Sequence, residues 1–565
     1  MKNFRLLFSL LFLGYLSLTA LTADAQDIEV AKRYAEMGQY KHAKSILLPL
    51  SQKGNDPIVL FTLGKIYLVE SNKDSANICF AKLISVYAGT PLALLGQTII
   101  DFNNKKEIES SNFSKAEKSA ASNKDLFALT QVAAVRYITG DTVNWEQSLE
   151  MASNIDRKYV KAYITAGDIL TMIAELTTLN EEYGKISGRY EQALYYAPDN
   201  VEAKTKLSNI YLLARNFSGA EQALSEVLVI DSSYIPALKA MGELEYMTGK
   251  YSQASHYFGK YMAIAEYTQK DVSKYINILY FNKEYAKSND LITQNLVNDP
   301  DNPVLLRLKG YTSYELKKYK IGLEAMTRFF SLRSNTSSDK IIFTDYEYYG
   351  KLLSRNGEDS LAVQALNKAL SMDSTKVYLY EDVAKSYEKL KNYNQAVLSY
   401  NKLIVNTKNV SPGIYFNKGL ALNFLASDTS ISQDTLKVRN YLLEADDAFG
   451  SVCSLSPNSH LGFLYRARMK SKFDPESTAG LAKPYYENAL TIIEAKNDSV
   501  KYKNEILEIY RYLGYYYYLQ YLSEKEAKNT QLSASHKKSS IQYWQMILAY
   551  EPKDKIALQA LKAFD

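Results

Sequence analysis

Small residues recur along this chain at a fixed distance, and that distance limits the folds open to it. With Val201 as position 1 of a 34-residue frame, position 20 reads Ala220, Ala254, Ser288 and Gly322 in four successive frames. Position 24 reads Leu224, Phe258, Ile292 and Met326, and position 8 reads Ser208, Gly242, Ile276 and Gly310. A small residue lets two helices approach closely, and a large apolar residue one turn later fills the space between them, so the frame predicts a repeated helical hairpin. The terminators keep the same beat. Pro198 in APDN and Pro300 in DPDN stand three frames apart, each stopping a helix with Asp or Asn beside it to cap the next. A second run from Phe343 has Gly350 and Ala384 at position 8, Ala362 and Ala396 at position 20, and Leu366 and Tyr400 at position 24. Leu63, Gly64, Tyr67, Ala76 and Phe80 show the pattern again near the N-terminus.

These residues resemble the signature of the tetratricopeptide repeat family: Leu-Gly, then Tyr, then Ala, then an aromatic and a closing Pro. The resemblance runs from about residue 27 to the end and implies an all-α fold, an α-solenoid of helical hairpins wound as a right-handed superhelix. The expected organisation is a signal peptide over 1–25, partly divergent hairpins over 26–200, and a regular array over 201–336. An array with an insertion near 424–438 then covers 337–457, and hairpins with a capping helix cover 458–565. The signature blurs over 91–156, and the pairs near 157–198, 412–457 and 503–552 carry insertions. In the late stretch RYLGYYYYLQY, Leu513, Gly514 and Tyr517 fall at positions 7, 8 and 11, which makes Tyr517 core. At 100° per residue the four tyrosines point to different faces, so the run makes no continuous aromatic platform. The segment KIALQALKAF from Lys555 to Phe564 is the expected capping helix.

At 565 residues the chain exceeds what one core usually organises, and its 24 glycines and 12 prolines are few, as a helical array requires. The opening MKNFR, the apolar run from Leu6 to about Thr22 and Ala23-Asp24-Ala25 match the three regions of a secretory signal peptide, cleaved after Ala25. An uncleaved anchor is the competing reading, against which Gly14, Ser17, Thr19 and the A-x-A end weigh. No cysteine follows the cleavage site to carry a lipid, and no later segment is apolar enough to span a membrane. The mature chain is therefore expected to be exported, periplasmic and soluble. Its formal charge falls from +5 to +4 with the loss of Lys2, Arg5 and Asp24, and basic residues are interleaved with acidic ones, which argues against a nucleic-acid partner. Cys79 and Cys453, the only cysteines, cannot form a disulfide framework and read as two buried free thiols.

Catalysis needs convergent groups, and His42, His256, His460 and His536 fall in separate repeats. No metalloprotease, redox or nucleophile-elbow motif is present, and GELEYMTGKY from Gly242 has the wrong spacing for a phosphate loop. Neither catalytic residues, nor a metal, nor a cofactor is expected.

The family resemblance implies that the first helix of each hairpin lines a concave groove, with positions 5, 9 and 12 on one face. Position 12 carries Tyr246, Tyr280 and Tyr314 after Leu212; position 9 carries Asn209, Asn277 and Tyr311; position 5 carries Arg307. Flat aromatics beside amides suit a protein or peptide segment, so these residues over 201–336 are the candidate partner-binding site; packing between hairpins is the alternative use of the tyrosines. Glu347, Lys351, Glu381, Lys385 and Glu388 extend the same face as charge, which reads more simply as solubility. No repeat shows the Lys at position 5 with Asn at position 9 by which some family members hold a C-terminal carboxylate. The expected function is a non-enzymatic periplasmic scaffold for protein partners in envelope assembly, secretion or transport. The alternative is a glycan-binding uptake protein with similar hairpins. Finally, Asp-Ser or Asp-Thr followed by an apolar residue or Thr occurs at Ser75, Thr142, Ser360, Ser374, Thr435 and Ser499. This resembles an O-glycosylation sequon of certain envelope bacteria; helix capping is the competing reading.

Overall fold

Each of the four regular frames opens on the first residue of a helix, Val201, Ile235, Gln269 and Pro303, and its second helix begins at position 17, on Phe217, Tyr251, Tyr285 and Tyr319. The computed structural model describes residues 23–53, 56–177, 182–333, 341–429 and 433–564. Among these there are 29 helices and no strand. The apolar run 6–22 of the expected signal peptide lies outside the described residues, as do residues 334–336 of the expected regular array.

Local chemistry sets the helix ends. Asn72, Asp125, Asn200, Asn216 and Asn392 each accept a backbone N–H three residues on, satisfying one of the amides that a helix start leaves unpaired. The first helix of each regular hairpin is stopped by a left-handed residue at position 15: Arg215 (φ 58°), Gly249 (78°), Lys283 (62°) and Lys317 (59°). The three basic residues complement the helix dipole, which offsets part of the left-handed backbone cost.

The packing rule read from the sequence holds in three dimensions. Ala220, Ala254, Ser288 and Gly322 are buried, and Leu224, Phe258, Ile292 and Met326 are fully enclosed. A methyl placed on Gly64 would stand 2.5 Å from the Phe80 ring, and one on Gly242 would stand 2.9 Å from the backbone nitrogen of Phe258. Position 8 is thus the socket into which the position-24 side chain of the same hairpin fits. Burying each Phe stabilises its hairpin by roughly 1.5–3 kcal/mol.

The chain divides into two units, Met1–Leu291 and Ile292–Asp565. In the first, the blurred stretch 91–156 forms two hairpins, Pro91–Asn103 with Ser111–Ser122 and Leu126–Ile138 with Trp145–Ile155. The signature fades because polar and bulky groups replace its small residues. Trp145 is buried at position 20 of the frame from Leu126, and Arg136 forms a bidentate pair with Glu117 at 3.1 Å that also takes the Ser148 hydroxyl at 2.6 Å.

This unit also closes on itself. The first hairpin, Ala23–Glu36 with Tyr40–Lys53, meets residues some two hundred positions later. The Glu266 carboxylate accepts the Lys41 and His42 backbone N–H groups at 2.9 Å each and contacts His42 Nδ1 at 2.7 Å, while Glu266 N–H donates to Gln39 Oε1 at 2.7 Å. Arg33 pairs with Asp231 at 2.6 Å, and Met37 packs among Leu228 and Tyr257.

In the second unit the insertions lengthen helices: Thr435–Leu455, Lys503–Glu526 and Thr530–Tyr550 run 21, 24 and 21 residues. Leu513 and Gly514 are buried, with Gly514 against the Trp544 indole. Tyr517 is half-buried, not fully enclosed as expected of core, because it stacks on Tyr543 at 5.9 Å near the hairpin surface with the Lys483 ammonium over it. Tyr515 is exposed, and Tyr518 and Tyr521 hold Phe564, which follows the helix Lys555–Lys562 expected as the cap. Both cysteines are free thiols, Cys453 buried and Cys79 only half-buried.

Candidate partner-binding surfaces

The candidate residues are divided between the two units. In the first unit Asn209 is exposed, whereas Asn277 donates to its own helix through Ser273 O at 3.0 Å. Tyr246 and Tyr280 are half-buried. Each lies against the position-17 tyrosine of its own hairpin, Tyr246 on Tyr251 at 6.0 Å and Tyr280 on Tyr285 at 5.7 Å. Tyr251 in turn stacks on Phe281 at 5.2 Å, and Phe281, at 45 % exposure, sits beside the column. Positions 5 and 9 here form repeat-to-repeat ion pairs, Lys239 with Asp271 at 2.7 Å and Lys274 with Glu243 at 2.5 Å.

In the second unit Tyr314 repeats the arrangement on Tyr319 at 5.6 Å. Arg307 and Tyr311 do not belong to an open surface. Asp345 is wholly buried and accepts Tyr311 Oη at 2.6 Å, Arg307 Nη2 at 2.9 Å and Ile342 N–H at 2.8 Å. Tyr311, only 5 % exposed, also stacks on Tyr348 at 4.4 Å. A carboxylate at 345 that needs partners in a dry setting draws both side chains inward, and it ties one hairpin to the next. The charged continuation is also internally paired: Lys351 meets Glu347 at 2.6 Å, and Glu388 accepts Tyr400 Oη at 3.0 Å.

A second surface, absent from the residues chosen by position, lies where first helices of the first unit converge. Lys161 bridges Glu36 and Glu202 at 2.6 Å each, and Lys206 and Tyr190 both bond Asp168, at 2.5 and 2.9 Å. Burial alone would lower the Lys161 pKa, but Glu202 and Glu36 outweigh it and raise it; burial likewise opposes Glu202, whose pKa Lys161 and Lys206 hold down. Lys32 stands over the Phe127 ring at 4.8 Å, and Lys65 donates to Gln131 Oε1 at 2.8 Å. A cavity of about 250 Å³ opens among Lys32, Glu36, Tyr40, Lys65, Phe127 and Gln131. Lys65 was within reach of sequence reasoning, since it follows the Leu63-Gly64 pair at position 9. The contacts across the interior were not, because they join residues with no fixed spacing.

The six hydroxyls of the Asp-Ser/Thr motif sit in turns or in the first turn of a helix. Five are exposed and Ser75 is half-buried. Four of the preceding aspartates, Asp141, Asp373, Asp434 and Asp498, accept a nearby backbone N–H, which gives capping a concrete share of the pattern.

No family model and no curated protein matches the chain. Among solved structures it is similar to the C-terminal part of a TPR repeat-containing protein from Cytophaga hutchinsonii, with 27% identity over 51% of this chain and 99% of that one and a TM-score of 0.40. It is also similar to a tetratricopeptide repeat protein from Parabacteroides merdae, at 17% identity over 46% and 99% with a TM-score of 0.30, and to pilF of Pseudomonas aeruginosa, at 14% over 42% and 99% with a TM-score of 0.32. Hairpins repeating in a 34-residue frame, each with a position-24 side chain seated in a position-8 socket, give this chain the fold of a tetratricopeptide-type α-solenoid.

Proposed function

We propose that the chain is a non-enzymatic scaffold, exported to the periplasm, that holds protein or peptide segments for an envelope assembly, secretion or transport machine. The observation that carries this reading is the repetition of one partly open aromatic setting. Tyr246 and Tyr280, one frame apart, each rest on a position-17 tyrosine, with Met247 and Phe281 exposed beside them and Asn209 exposed in the preceding repeat. Aromatic side chains already supported from below lose little freedom when a partner covers them, which is how interface anchors act. Tyr314 offers the same setting in the second unit, while Arg307 and Tyr311 stiffen the array around it through Asp345. A photocrosslinking residue at Asn209 or Met247 should capture an envelope protein, whereas one at Val229, exposed on a second helix, should not. Equal capture at all three, or none at the first two, would count against the reading. Export is supported by the signal-peptide pattern, and N-terminal sequencing of envelope material should begin at Gln26.

A further inference from the structure

Several lysines of the first unit are ion-paired. Lys161 takes Glu36 and Glu202, Lys206 takes Asp168, and Lys32 takes Glu29 at 2.7 Å. Lys65, on the helix Pro57–Val69, has the neutral Gln131 amide as its bonded partner, and among the described residues no carboxylate lies within ion-pair distance of it. An ammonium has three N–H donors and Gln131 takes one, with the Phe61 ring centroid 6.0 Å from the nitrogen, so donor capacity is left for a ligand in the cavity that Lys65 lines. Although the side chain reaches water, the protein crowds it enough that burial pushes its pKa down to about 8; Glu36 opposes that fall, and Lys161 and Lys32 add to it.

The cavity walls define what could answer the ammonium. Ala35, Ile66, Val69 and Phe127 supply apolar surface, and the volume of about 250 Å³ is too small for a helix but sufficient for one or two side chains. Glu36, the acidic group in the wall, is already held by Lys161 at 2.6 Å, and the other titratable groups there besides Lys65 are Tyr40 and Lys32, the latter paired with Glu29 at 2.7 Å. We propose that this cavity is a binding site for a carboxylate carried on a short apolar stem, with Lys65 as its counter-ion, Gln131 orienting Lys65, and Phe127, Ile66 and Val69 enclosing the stem. The carboxylate comes either from an acidic side chain of a bound segment or from a free small acid. In the first form the proposal rests on the scaffold reading, and the two fail separately because crosslinking at Asn209 and Met247 does not depend on Lys65.

Two probes separate the sources in isothermal titration with the full mature chain: acetyl-Leu-Glu-Leu-amide and free 4-methylpentanoate. If the ligand pairs with the ammonium, binding at pH 9 should be about tenfold weaker than at pH 7, because Lys65 loses its proton near 8 in the empty site. Lys65→Met, which keeps a similar stem on an exposed position, should weaken binding at least tenfold and remove the pH dependence, with the melting temperature unchanged. Acetylation of Lys65 by an amine-reactive ester, followed by peptide mass spectrometry, should slow when the binding probe is present. Binding of the peptide alone assigns the site to a protein segment, and binding of the free acid alone assigns it to a small metabolite. No heat from either probe at 10-fold excess over millimolar concentrations, or equal affinity in the wild type and Lys65→Met, overturns the proposal.

Discussion

The contact that closes the first unit should respond sharply to one substitution, Glu266→Ala. Glu266, over two hundred residues away, caps the start of the helix Tyr40–Lys53 by accepting the Lys41 and His42 amides at 2.9 Å. Losing a local cap costs typically about 1 kcal/mol, and a charged acceptor at a helix start adds about 0.3–1 kcal/mol. The His42 contact at 2.7 Å and the Gln39 bond to Glu266 N–H are weakened with it, giving a total of about 1–3 kcal/mol. In an array where each hairpin touches few others, that loss should appear as opening of the first hairpin rather than as global unfolding. Hydrogen exchange at Lys41 and His42 should therefore accelerate about 5- to 150-fold, with exchange in Tyr251–Ile264 nearly unchanged. Burial alone would raise the Glu266 pKa, but the two amides and His42 outweigh it and hold it below the ordinary carboxylate value. The stabilisation is thus fully present above that ordinary value, near 4.3, and is lost as pH falls through the lower folded value, so the wild type at acid pH should approach the mutant. Unchanged exchange in the mutant at neutral pH would refute this account of the closure.

Three further outcomes follow from the same geometry. Ala254→Leu should destabilise its surroundings by about 1–3 kcal/mol, since Ala254 is fully buried and added methylenes must displace the Phe258 packing; unchanged melting would contradict the position-20 contact. Replacing Tyr246 and Tyr280 together by Ala should abolish partner capture while the circular dichroism signal persists, and unfolding of the double mutant would mean that the pairs with Tyr251 and Tyr285 are chiefly packing. The five exposed hydroxyls, Thr142, Ser360, Ser374, Thr435 and Ser499, should carry hexose additions in intact-mass spectra of natively expressed chain; a bare mass would leave capping as the whole explanation of the motif.

The hairpins were legible because their cause is local. Small and large residues 16 positions apart in one hairpin meet, as Gly242 and Phe258 do, and such a contact leaves a periodic trace in the sequence. The uses of Arg307 and Tyr311 were not legible, because a position in a frame fixes which face a side chain starts from but not what its neighbour offers it. Asp345, 38 and 34 positions on, decides both. At position 12 the tyrosines share one setting in three of the four regular hairpins, the first carrying Leu212 instead. That setting includes a tyrosine at position 17, which the frame contained at Tyr251, Tyr285 and Tyr319 and which makes the packing alternative partly true.

Regularity and binding capacity also pull in different directions in this chain. In the regular repeat from Ile235, the residues at positions 5 and 9 form ion pairs with the next repeat, Lys239 with Asp271 and Glu243 with Lys274, which help hold the spacing of the array there. The residues that cross the interior of the first unit, Lys65 with Gln131 and Lys161 with Glu36, come largely from hairpins outside the regular run. A side chain that reaches across the interior is under no pressure to match its equivalents in adjacent repeats, since each such contact has a different partner at a different depth. Loss of repeat signature is then the expected mark of a hairpin whose inner face has acquired a specific task, as Arg136, Glu117 and Ser148 show for structure within 91–156. By this argument the blurred hairpins are where contacts specific to this chain arise, as Gln131 on the helix Leu126–Ile138 shows by meeting Lys65 of a hairpin that keeps its signature.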